Sequence, residues 1–179
     1  MSKDFGDFTR IRVSDTPYNA EDFVFEEYKN KVQSFIGQAV YIYSFEKNRM
    51  LYAAGWEDLL GYKSEEITLF KIVSITSKRH FNFSNELNDK SLEFLLGKKK
   101  DLEKYSFTIE VEKIHKNGEI IPLFSRVGIF KSRNGTILEI IGISEKIHSR
   151  KLGNIMQYAV FGPKLSGFEE SLNQQLFNE

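Results

Sequence analysis

The chain has 179 residues, enough for one ordinary domain with an arm or two and for a core that needs no staples. Its 25 Lys and Arg balance 25 Asp and Glu, so no global field draws it to nucleic acid or to an anionic membrane. Cysteine is absent, which excludes disulfides, thiolate nucleophiles and cysteine metal sites.

Residues 1–20 are polar, close on Thr16-Pro17 and read as a poorly structured leader with no apolar signal core. Over 21–37, Phe25, Tyr28, Val32 and Phe35 recur at helical spacing up to Gly37. This seam predicts either a cap on the domain's own core or a dimerisation helix. "AVYIYS" and "MLYA", joined by Glu46-Lys47-Asn48-Arg49, read as two short strands. Trp56, Leu59 and Leu60 mark a short helix that Gly61 stops, and Ser64 with Glu65 and Glu66 suits the start of another. "LFKIVSI" fits a strand or a buried helical turn equally. Leu87, Ser91, Phe94 and Leu95 then form one face of a helix over Ser84 to Gly97.

The second half changes period. Tyr105, Phe107, Ile109 and Val111 alternate with Ser106, Thr108, Glu110 and Glu112, which predicts a strand whose two glutamates lie on a solvated face. Asn117-Gly118 and Asn134-Gly135 supply hairpin turns to two further strands, with Pro122 suggesting an edge position or a bulge. Residues 149–179 read as a C-terminal helical extension. Leu152, Ile155, Met156 and Ala159 share one helical face up to Gly162-Pro163, and a second helix starts at a capping box around Ser166 to Glu169. The fold class is therefore α+β with one antiparallel sheet.

Residues 38–148 resemble a PAS domain, a sensory module. Leu59-Leu60-Gly61-Tyr62 followed by Ser64-Glu65-Glu66-Ile67 is similar to that family's signature after the second strand, and the two Asn-Gly turns sit where the family places its hairpins. The segment from Gly142 to Lys151 resembles the family's closing motif, with Lys146-Ile147-His148 standing where Asp-Ile-Thr is usual. The resemblance implies a five-stranded antiparallel sheet with short helices and one longer helix across one face, flanked by N- and C-terminal helices. It also implies a cavity between the sheet and the long helix, for which Tyr41, Tyr43, Phe70, Leu87, Phe94, Phe107, Ile109 and Ile141 are the candidate lining residues.

No catalytic constellation stands out, so the expectation is a non-catalytic protein. None of His80, His115 and His148 pairs with another histidine at metal-ligand spacing. Haem-binding relatives carry a histidine on the long helix. His80 lies just before the helix expected here and between polar neighbours, so it reads as a loop histidine and haem is not expected. Flavin photochemistry of the light-sensing relatives needs a cysteine that the chain lacks. No cofactor is expected. The functional expectation is a cytoplasmic signal-transduction module without membrane or direct nucleic-acid contacts, binding a small apolar or aromatic ligand. It would relay the change through its flanking helices to an output domain missing from this chain, as in a transcriptional regulator. A ligand-free homodimerisation module is the alternative; a small-molecule carrier or isomerase-like enzyme would need an ionisable group deep in the cone, and none is identified.

Overall fold

The computed structural model describes residues 5–32, 35–148, 152–153, 156–165 and 168. Its strands are β1 (Gln38–Ser44), β2 (Arg49–Ala54), β3 (Ser106–Ile114), β4 (Ile120–Arg133), β5 (Thr136–Lys146) and β6 (Tyr158–Phe161). They form one antiparallel sheet in the order β2-β1-β5-β4-β3-β6. The helices are α1 (Asp7–Arg10), α2 (Phe23–Lys31), α3 (Trp56–Leu60), α4 (Leu69–Ser74) and α5 (Lys78–Leu96). The α+β class and the five-stranded core sheet are as expected.

The meander follows its turn chemistry. Asn134 and Gly135 both take positive φ (50° and 74°) and Gly118 takes 92°, the values that tight hairpins matching the strand twist require. Pro122 lies within a central strand, correcting the edge expectation. It sits one residue beyond the last β5 partner of β4, so its missing N–H costs no ladder bond there, and its carbonyl accepts from the Ile147 amide (2.9 Å).

At the opening of the domain, Gly61 ends α3 with φ 78°, its amide donating to the Glu57 carbonyl (2.9 Å). The next helical turn, Ser64–Glu66, is capped by the Glu66 carboxylate, which accepts from the Lys63 amide (2.9 Å); Ser64 does not cap it. "LFKIVSI" resolves as α4, capped by the Thr68 hydroxyl, which accepts from the Lys71 amide (3.0 Å).

Four further expectations fail for tertiary reasons. The leader is ordered over its described residues: Phe5, Thr9 and Val13 are buried, and the Phe8 and Thr9 amides donate to the Asp89 carboxylate on α5 (3.2 and 2.9 Å). Second, the seam helix stops at Lys31 because Val32 turns extended, which leaves Phe35 outside the helix and 81 % exposed. Third, α5 starts at Lys78 rather than Ser84, so His80 lies inside the helix and is wholly buried.

The fourth correction concerns the expected C-terminal helix, which is β6 over Tyr158–Phe161. Its physical reason is the edge of β3, whose outward amides would otherwise lack partners. β6 pairs with Ser106 to Ile109, the Glu110 amide donates to the Gln157 carbonyl (2.8 Å), and the Ile114 amide donates to the Ile75 carbonyl (2.7 Å). Between them the Glu112 amide donates to His80 Nδ1 (3.1 Å). This edge cover also corrects the solvated-face reading: Glu112 is buried and paired with Arg79, and Glu110 is half-buried. Ile155 and most of the last helix lie outside the described residues; Phe168, which belongs to that segment, packs on Phe94 with ring centroids 4.9 Å apart.

The two sheet faces carry separate cores. Ala39, Tyr41, Phe107, Ile109, Val111 and Leu123 face α4, α5 and the N-terminal segment. Val40, Ile42, Leu51 and Tyr52 face α2, whose Tyr28 hydroxyl donates to the buried Glu139 carboxylate. Phe25 and Val32 pack into that second cluster, so three of the four seam residues are used within the chain's own domain.

Candidate functional site

The larger core encloses a cavity of about 120 Å³. Alternation along β3 brings Phe107, Ile109, Val111 and Lys113 to its floor, because residues two apart share a face. β4 adds Leu123, Ser125 and Val127, and β5 adds Ile140, Gly142 and Ser144. Ser84, Asn88, Ser91, Leu92 and Leu95, at helical spacing on α5, form the roof. Leu69, Ile72 and Val73 of α4 close one side, and Phe5, Thr9 and Val13 close another.

Gly142 is required where β5 passes Tyr41. A Cβ at this position would lie 2.1 Å from Tyr41 Cε1, so only glycine leaves room for the ring against the sheet. Burial raises the Tyr41 hydroxyl well above the usual phenol range.

The cavity wall is apolar with a few polar interruptions. The Ser125 and Ser144 hydroxyls bond each other across β4 and β5 (2.7 Å). Thr9 Oγ1 and Ser91 Oγ are buried and have no hydrogen-bond partner among the described residues. A buried hydroxyl without a partner costs on the order of 1–3 kcal/mol, so these two groups mark places where an occupant would be stabilising. Among the described residues the one cation on the wall is Lys113, whose Nζ donates to the Ile72 carbonyl (2.6 Å) and to Thr76 Oγ1 (2.7 Å). Burial pushes this amine down to about 7.

Of the eight residues expected to line the cavity, Tyr41, Phe107 and Ile109 do. Tyr43, Phe70 and Leu87 lie in the same core without lining the space. The Tyr43 hydroxyl is already engaged, accepting from the Ser14 amide (2.9 Å) and donating to Asn48 Oδ1 (2.7 Å). Phe94 lines a separate void of about 10 Å³ with Tyr105 and Phe168. Ile141 points to the opposite face, towards α2; its neighbours Ile140 and Gly142 line the cavity. That is a one-residue phase error on a strand apolar on both sides. Sequence reasoning missed Lys113, although it continues the 107, 109, 111 alternation and so was in phase with the buried face. Thr9 was missed because its segment carries no period of its own.

His80 is a second focus of buried polarity. Its Nδ1 accepts from the Glu112 amide, so Nε2 carries the proton and donates to the Gly153 carbonyl (2.8 Å). Arg79 donates to the Leu152 carbonyl (2.7 Å) and pairs with Glu112. The first turn of α5 therefore holds the chain that leaves β5, while later turns of the same helix roof the cavity. Among the described residues no group of three or more metal-ligating side chains converges.

No family model matches the sequence, and no curated protein matches it. Solved structures do. The PAS domain of a protein from Colwellia psychrerythraea superposes with a TM-score of 0.51 at 16 % identity, covering 70 % of this chain and 98 % of that one. The RsLOV d2 variant superposes with a TM-score of 0.53 at 14 % identity, covering 72 % of this chain and 69 % of that one. The strand order, the α5 roof and these superpositions agree: the chain has the fold of a PAS domain.

Proposed function

We propose that this chain is a non-catalytic sensory domain that binds a small, largely apolar molecule in the cavity between the sheet and α5. The observation that supports it is a void of about 120 Å³ between the sheet and α5, lined by two buried hydroxyls, Thr9 and Ser91, that have no partner among the described residues. By that measure the space suits an occupant about the size of one aromatic ring. Binding would bias the position of α5, and α5 grips the exit segment through Arg79 and His80. Occupancy of the cavity and the path of the chain after β5 are then two readouts of one element, the form that signal relay to an output domain or partner takes. A cytoplasmic setting and a role in transcriptional regulation belong to the same reading.

Native mass spectrometry of the freshly purified chain, with denaturing release of bound matter, tests it. A reproducible extra mass that disappears when Ser91→Phe fills the cavity supports the reading. A ligand-free chain that also takes up no small aromatic compound in a ligand-observed NMR screen overturns it.

Homodimerisation is the second reading, favoured by Phe35 and Ile36, which are 81 % and 106 % exposed at the entry to β1. A dimer in the same spectrum that Phe35→Glu together with Ile36→Glu converts to monomer supports it; a monomeric parent chain refutes it.

A further inference from the structure

Lys113 stands on the cavity floor, 5 % exposed, with its ammonium position held by two neutral oxygens. An ammonium has three hydrogens, and Ile72 O and Thr76 Oγ1 take two. Among the described residues no carboxylate comes within 4.0 Å of Nζ. The nearest carboxylate along its own strand, Glu112, is committed to Arg79 and lies beside His80. Lys71 on α4 lies over the Tyr62 ring, and β4 places the apolar Ile121 opposite Lys113. Burial is accordingly the sole cause of the lowered amine; no charged neighbour on α4, α5, β3 or β4 adds to it or offsets it.

A buried cation without a counter-ion is a poor structural element, since an apolar residue of similar length would fill the space at lower cost. It is a good receptor for a buried anion, because a charge-assisted hydrogen bond is strongest where water is excluded. The rest of the wall is uncharged: Phe107, Ile109, Val111 and Leu123 offer contact to an apolar body, and neutral groups such as Thr9, Asn88 and Ser91 can add hydrogen bonds but no charge. We infer that the cavity is specific for a small monocarboxylic acid with an aromatic or compact aliphatic body, its carboxylate seated on Lys113 Nζ. This rests on the reading of the cavity as a ligand site and adds the chemical class of the ligand.

Benzoate and its neutral isostere benzamide separate the two levels. By isothermal titration calorimetry near pH 6.5 the wild-type chain binds benzoate at least about tenfold more tightly than benzamide. Near pH 8, where the free amine is largely neutral, benzoate binding takes up close to one proton, seen as a heat that scales with the ionisation enthalpy of the buffer. Lys113→Met, matched in length, loses the preference for the acid and the proton uptake, and retains binding of benzamide. Equal binding of acid and amide by the wild type, or an acid preference that survives Lys113→Met, overturns the carboxylate inference and leaves the cavity a ligand site. Failure of both compounds to bind overturns both. The wild-type comparison and the proton count do not depend on the variant folding.

Discussion

Replacing Lys113 by Met should remove the rise in stability with pH that the wild type shows above about pH 7, so the variant loses ground to the wild type as the pH rises. In the folded chain burial lowers the amine from its ordinary 10.5 to about 7. Between these values the unfolded chain binds a proton that the folded chain does not, so wild-type stability rises with pH and falls as pH drops towards 7. One pH unit within this window is worth about 1.4 kcal/mol per proton. From pH 7.5 to 9.5 the wild type therefore gains about 3 kcal/mol from this group, whereas the Lys113→Met variant has no amine there and gains nothing. The variant also leaves the Ile72 carbonyl and the Thr76 hydroxyl without their donor, at about 1–3 kcal/mol each. That loss is independent of pH, so it offsets the two curves without changing their divergence. Urea unfolding of both proteins at several pH values reads the difference directly, and every other titrating group cancels. Parallel stability curves would refute the reasoning, because they would mean that Lys113 titrates alike in the folded and unfolded chains.

Gly61→Ala should destabilise by about 1–3 kcal/mol in thermal unfolding: it forces an L residue to φ 78° and brings a Cβ to 2.7 Å from His115 Cε1. Gly142→Ala should cost a similar amount, about 1–3 kcal/mol, and quench or shift any ligand signal, since Tyr41 must leave its place over the sheet. His80→Ala removes the acceptor of a buried amide and the donor to Gly153; a loss of about 2–4 kcal/mol and faster amide exchange at Glu112 and through β6 are expected, and unchanged exchange there would show that the clamp carries no stability. Tyr28→Asp should unfold the domain rather than yield a folded monomer, because Tyr28 lies on the chain's own sheet beside the Glu139 carboxylate, where a second carboxylate would be repelled. Circular dichroism of the purified variant decides between the two.

Elements whose signal is local can be read from the residues without the fold. The Asn-Gly turns, the alternation of β3 and the glycine stop after Leu60 each set backbone geometry within a few residues and specify the meander, while the pairing of β1 with β5 that completes the sheet was implied only by the resemblance to PAS domains. Phe107 and Ile109 were legible on the cavity wall because β3 alternates apolar with polar residues, whereas Tyr41 lies on β1, whose two faces are both buried, and was placed there by the resemblance to PAS domains. Ile141 was not legible, because β5 is apolar on both faces and its phase is set only by pairing Tyr41 with Gly142 and Ile42 with Ile141. What covers the edge of β3 emerges only when the segments pack. The helix-like spacing after Leu152 gave way to β6, since open edge amides reward a strand more than helix propensity rewards a helix. The same edge drew His80 inside, to accept an amide that no strand could reach, and buried Glu112 with Arg79. Lys113 belongs to both accounts. Its place on the buried face follows from a period of two, whereas its want of a counter-ion among the described residues follows from what α4, α5 and β4 bring against it, and no single segment carries that information.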